Sequence, residues 1–309
     1  MIIDAHAHVF DEPWLPGWFW KMLNNIMGMV SGLGAEKIAE LRKQSCDPSG
    51  DIMVKSMAKA GVDKAIVCVV DIGLLDPRED NGMPIEEINR RSYEMVKRHP
   101  GKLYLSAGVD PRRKNAREIA EAAAKEWGAV SLKLQPTAGW FPNDKIAAYP
   151  LYEKCAELGL PLDFHTGPQF HPFKSVCGHP RYIEDVAADF PELTIQCTHS
   201  GDVLFHEMVA VAKAHHNVIL DFASWQRWLG GSRHTALEMY RALRFMMDMV
   251  GPRMMFASDW DGFIVDDEYG QWVDACRRMP GWVKEGGVEF TPEEMDGFFS
   301  GNARRLLKL

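Results

Sequence analysis

Near the start of the chain two histidines stand one residue apart, in the stretch Asp4-Ala5-His6-Ala7-His8. On a strand, residues i and i+2 face the same way, so His6 and His8 can each offer a nitrogen to one metal ion at about 2.0–2.1 Å. Two core histidines hydrogen-bonded to backbone would look the same, so other residues must decide. His165 ends the run LPLDFH, His199 ends LTIQCTH and Asp259 ends RMMFASD. Five side chains able to bind a metal, each at the end of an apolar run, point to one shared site. A buried ionised carboxylate is costly without a partner, and a metal supplies one. Imidazole and carboxylate suit Zn²⁺, and also Mn²⁺, Co²⁺ or Fe²⁺.

Only certain folds bring such residues together. Eight strand-like runs lie at 2–6, 64–70, 103–109, 129–134, 160–165, 193–199, 217–223 and 253–259, and helix-period segments such as 84–98, 116–127, 149–158 and 235–250 alternate with them. Near-continuous apolar strands separated by amphipathic helices predict a parallel sheet covered by helices. Eight such units predict a (β/α)8 TIM barrel, one α/β domain over 1–309, with all five residues at the C-terminal ends of strands, where barrel active sites are built. An open doubly wound sheet would carry a glycine-rich phosphate turn after its first strand, and HAHVFDEPW has none. Residues 10–50 exceed what a barrel needs at that point. They read as a helical insertion, with Trp14, Trp18, Phe19 and Trp20, covering the active-site mouth.

Composition narrows the function. The chain has 309 residues, 46% hydrophobic and 25% charged, with a net charge of −8. An acidic chain argues against nucleic acid, whose binders present basic surfaces. The most membrane-like stretch, Pro13 to Gly34, is broken by Lys21, Asn24 and Asn25, so no membrane partner is expected. Six cysteines with no CxxC pair, and a start without a basic segment, read as a protein of the reducing cytoplasm without a signal peptide. A small-molecule substrate is the expected partner, and a homodimer is left open.

The motifs DAHAH, LPLDFHTG, THSG and FASDWDG, in this order, resemble those of the amidohydrolase superfamily, in the branch containing aminocarboxymuconate-semialdehyde decarboxylase. GAVSLKLQP and SGNARRLLKL agree with it. The resemblance implies one divalent metal, usually zinc, held by His6, His8, His165 and Asp259, with His199 as the catalytic histidine. It also raises a question about Lys133, at the end of the fourth strand. Binuclear relatives carry a carboxylated, metal-bridging lysine there, whereas a lysine near the substrate or in strand packing fits a one-metal site. For substrate binding we expect Arg227, which can grip a carboxylate bidentately, together with Lys133, Trp140 and Trp225. Phe141, Trp228 and Trp260 would complete an aromatic wall suited to a flat cyclic or unsaturated acid. A metal would lower the pKa of water towards neutrality, with Asp259 and His199 as acid–base groups, which predicts hydrolysis of a C–N or C–O bond. Non-oxidative decarboxylation at the same metal is the alternative, and a non-catalytic metal-binding protein the third reading.

Overall fold

The computed structural model describes residues 1–31, 33–75, 82–230, 233–260, 268–285 and 289–308. Its strands are β1 (Ile3–Ala7), β2 (Lys64–Cys68), β3 (Leu103–Gly108), β4 (Ser131–Leu134), β5 (Leu162–His165), β6 (Ile195–Thr198), β7 (Val218–Asp221) and β8 (Met254–Met255). They pair in parallel in chain order. Between β8 and β1 the ring closes by single contacts. Ala5 N–H donates to Phe256 O at 3.0 Å, Asp259 N–H donates to His6 O at 2.9 Å, and Ala7 bridges Trp260. This is the expected (β/α)8 barrel.

Alternation along the strands explains the two faces. Leu132, Leu134, Leu162, Phe164, Ile195, Cys197, Val218 and Leu220 join the large cluster under the helices. The intervening positions point into the barrel. One group of these is apolar, Ile3, Ala5, Ile66, Cys68, Ile219 and Met255, closed off by Ala303 and Leu307. The other, on β4 to β7, is polar, namely Ser131, Lys133, Asp163, His165, Gln196, Thr198 and Asp221, all buried. An interior this polar demands partners for each group.

The helical insertion after β1 consists of α1 (Gly17–Ser31) and α2 (Ala35–Ser45), followed by α3 (Asp51–Ala60), which leads into β2. The next helices are α4 (Ile85–Arg98), α5 (Ala116–Lys125), α6 (Tyr149–Leu158), α7 (Arg181–Asp189), α8 (Phe205–Ala214), α9 (Arg233–Val250) and α10 (Glu268–Glu285). Among the described residues no helix is long and apolar enough to cross a membrane.

From β2 onward the strands are shorter than the expected runs, and the eighth departs furthest. The eighth strand stops at Met255 rather than running to Asp259. Beyond it Phe256 N–H donates to Phe298 O, and Ser258 is captured by the Asp4 carboxylate, so the ladder to β7 ends early. At Gly108 a Cβ would lie 2.2 Å from Val69 O, so only glycine lets β3 approach β2 there.

Candidate metal centre

His6 reaches the interior through an irregularity. The register of β1 against β2 shifts between Asp4 and Ala7, as in a bulge, which re-aims a side chain. Ala5 and His6 therefore both face inward. The Asp4 carboxylate turns to Tyr269 OH on α10, at 2.7 Å, and to the Ser258 N–H. Burial pushes Asp4 up to about 6, against the four hydrogen bonds that lower it.

Ser258 brings Asp259 into place. Asp259 adopts φ 57°, a left-handed conformation that costs energy outside glycine and is sustained here by the Asp259–His6 backbone bond. Its Oδ1 lies 3.5 Å from His6 Nε2 and 3.4 Å from His8 Nε2, and those two nitrogens are 3.0 Å apart. Its Oδ2 accepts from Ser224 Oγ, a residue also at positive φ. Burial alone would raise the Asp259 pKa, but His199, His6 and His8 hold it well below the usual carboxylate range.

The other ring nitrogens are engaged. His8 Nδ1 donates to Cys68 O at 2.7 Å, so its Nε2 carries a lone pair. His199, at φ 69°, donates Nδ1–H to Ala223 O at 3.2 Å, and its own N–H is held by Asp221 Oδ1 at 2.9 Å. Its unprotonated Nε2 accepts from His165 Nδ1 at 3.1 Å. His165 Nε2 is buried without a hydrogen-bond partner. Burial drives His8 and His165 down and His199 to about 3, so these three rings are neutral, the form that binds metals. His6 goes the other way. Burial disfavours its charge, but Cys68, Asp163 and Asp259 around it raise it well above the ordinary value. These surroundings call for a positive charge.

A divalent cation fits this donor set. Two donors on one ion at 2.0–2.1 Å with tetrahedral spacing lie about 3.3–3.4 Å apart. The trio His6, His8 and Asp259 matches that spacing. His165 joins neither of the two close metal-binding groups among the described residues. It stands instead against His199, with ring centroids 4.6 Å apart, and His199 is 5.6 Å from His6. All five residues thus share one mouth, with three in close array.

The expected substrate residues fare differently. Arg227 is 59% exposed, with Nη2 at 2.7 Å from Ser224 Oγ and 3.5 Å from Asp259 Oδ2. Lys133 is 1% exposed inside the barrel, paired with Asp163 Oδ1 at 3.2 Å, and does not line an open pocket. Trp225 lies behind the site. Its N–H donates to His199 O at 3.0 Å and its ring stacks on Phe222. Trp140 is buried against Phe164, on the helix side of β5. Phe141 packs on Tyr182, Trp260 on Tyr269, and the Trp228 side chain lies outside the described residues. Aromatics of the insertion take the nearer position: Phe10 stacks on His8 at 5.5 Å, Phe19 packs on Phe10, and Trp18 packs on both Phe19 and Phe173.

Asp163, Thr198, Asp221 and Ser224 were not singled out from the sequence. A signal for the first three was present. Period two within LPLDFH places Asp163 on the face of His165, and the same rule applied to IQCT and VILD turns Thr198 and Asp221 inward. Ser224 follows a strand and carries no such mark.

The family model Amidohydro_2, described as amidohydrolase, matches residues 3–309. The chain belongs to this amidohydrolase family. Among curated proteins none matches it significantly. Solved structures do. One is a 5-carboxyvanillate decarboxylase from Novosphingobium aromaticivorans, complexed with manganese and 4-hydroxy-3-methoxy-5-nitrobenzoic acid. It is 16% identical with a TM-score of 0.66, over 100% of this chain and 96% of that one. A Burkholderia multivorans amidohydrolase with bound zinc is 16% identical with a TM-score of 0.63, over 100% and 99%. A Pseudomonas putida protein assigned as a 2-pyrone-4,6-dicarboxylic acid hydrolase is 17% identical with a TM-score of 0.62, over 99% and 97%. This amidohydrolase therefore shares its barrel with both hydrolases and decarboxylases.

Proposed function

We propose that the protein is a metal-dependent hydrolase of a small carboxylic acid derivative, cyclic or unsaturated. The observation that carries this is the close array of His6 Nε2, His8 Nε2 and Asp259 Oδ1 beside the neutral His199 and His165. His6, His8 and Asp259 would hold one divalent ion, with His165 as the fourth ligand, and zinc or manganese suits these donors. Such an ion supplies a Lewis acid and makes water a better nucleophile at neutral pH.

The chain's own residues do the rest. Asp259, kept ionised, accepts the proton as water attacks. His199 Nε2, an unprotonated nitrogen, takes that proton on and returns it to the leaving group. Asp221 and the Trp225 N–H fix the His199 backbone at both N–H and C=O. Arg227 has exposed nitrogens to pair with a substrate carboxylate. Phe10, Trp18 and Phe173 bound the mouth beside His8 and exclude water from a flat substrate. Trp18→Ala should raise KM about tenfold, or ~1.4 kcal/mol, with the barrel still folded. An unaltered KM on the true substrate would make the insertion structural.

Decarboxylation is the second reading. It is favoured by the carboxyvanillate decarboxylase likeness, which covers the whole chain. Turnover in ¹⁸O-water separates the two. Hydrolysis places solvent oxygen in the product, whereas decarboxylation releases CO2 and places a solvent proton on carbon. CO2 release without oxygen incorporation overturns hydrolysis.

A further inference from the structure

Beneath His6 lies a buried polar group that the reaction does not use. Asp163 is its centre, two residues before His165 on the inner face of β5. Its Oδ1 accepts from Lys133 Nζ at 3.2 Å and from Thr198 Oγ1. Its Oδ2 is 3.5 Å from His6 Nδ1 and accepts the Cys68 thiol hydrogen at 3.4 Å. Lys133 Nζ also donates to Thr198 Oγ1 at 3.2 Å. All five side chains are buried.

Counting hydrogens fixes the state of His6. Three groups face its Nδ1: Cys68 Sγ at 3.3 Å, Thr198 Oγ1 at 3.5 Å and Asp163 Oδ2 at 3.5 Å. The Thr198 hydroxyl gives its one hydrogen to Asp163, and the Cys68 thiol reaches Asp163 Oδ2 at 3.4 Å and Ile66 O at 3.9 Å as well as His6 Nδ1. Asp163 has none to give while it pairs with Lys133. With the thiol hydrogen on either of those oxygens, all three neighbours present lone pairs, and the hydrogen between them is the one on His6 Nδ1. Nε2, which faces His8 and Asp259, is then the nitrogen left to bind a metal, and this is the tautomer a ligand needs.

We propose that Lys133, Asp163 and Thr198 form a positioning unit that sets the tautomer of His6, and that Lys133 stays a plain ammonium. The lysine's partner argues against a bridging carbamate. Carboxylation would replace a cation with an anion beside Asp163, inside the barrel, where like charges are costly. Lys133 is thus the fixed counter-charge that keeps Asp163 an acceptor.

The inference rests on reading His6 as a metal ligand, and its test separates the two. Zinc affinity is measured by competition with a chromophoric chelator. The tautomer of His6 is read from long-range ¹H–¹⁵N spectra of zinc-loaded wild-type protein carrying ¹⁵N-histidine, assigned with His6→Gln. The expected result is a proton on Nδ1 of His6. Removing the charges together, in Lys133→Met/Asp163→Asn, should weaken zinc binding about 10–100-fold, the usual cost of losing a ligand's outer partner. Thr198→Val should weaken it in the same direction. ¹³C-bicarbonate supplied during loading should give no carbamate signal. A proton on Nε2, zinc binding within twofold of wild type in the double variant, or a carbamate signal overturns the proposal. The wild-type spectrum decides it even if the double variant fails to fold. Wild-type protein that binds neither zinc nor manganese overturns the metal reading itself.

Discussion

Asp259→Asn is expected to lose about 10²–10⁴ in rate, the usual worth of a positioned acid–base group, while keeping much of its metal. The amide preserves the shape and one oxygen facing His6 Nε2 and His8 Nε2, at the place where Oδ1 lies 3.4–3.5 Å from both. At the Oδ2 position it places an NH2, which can donate to Ser224 Oγ but no longer accepts from Arg227. What it removes is the negative charge and the ability to take a proton. Metal content by elemental analysis and kcat by substrate assay together check the result. Turnover near the wild-type rate would move proton acceptance to His199 and leave Asp259 as a ligand alone.

His8→Ala should reverse that order, losing metal first and activity as a consequence. His8 is the ligand with the cleanest tautomer, because its Nδ1–H is spent on Cys68 O at 2.7 Å. Its removal should weaken binding beyond the ~10–100-fold seen for an outer partner. Thermal unfolding gives an independent reading. A ligand at 100 times its Kd stabilises by about 2.7 kcal/mol, so wild-type protein should melt higher with added zinc and His8→Ala should not. A zinc-dependent shift equal to wild type in His8→Ala would remove His8 from the ligand set.

Much of the barrel was legible in the sequence because eight apolar runs alternate with amphipathic helices. HxH, His165 at the end of its strand, and His199 and Asp259 beyond the ends of theirs were legible for a related reason, since parallel strands all end at one mouth. Other parts were not. The bulge that turns His6 inward beside Ala5 leaves no residue signature, and strict alternation from His8 would have reached His6 only by treating β1 as regular. Trp140 and Trp225 were expected at the substrate, yet both pack behind the strands. Placing a loop indole needs the direction of the loop, which spacing does not give. Lys133 and Asp163 were separable only as a pair. Each alone is a puzzling buried charge, and their contact comes from the register of β4 on β5, which sets Lys133 opposite Asp163.

The seam between β8 and β1 bears on how the protein is made. The Asp4–Ser258 contact joins residues 254 positions apart, and the same seam carries His6, His8 and Asp259. On a growing chain the histidines emerge from the ribosome early and wait for nearly the whole polypeptide before their carboxylate arrives. A nascent or truncated product that stops short of Asp259 lacks the carboxylate of the site. Metal uptake by the proposed site would therefore mark completed synthesis and ring closure, and a metal-responsive dye would report the arrival of the last strand rather than the folding of the first.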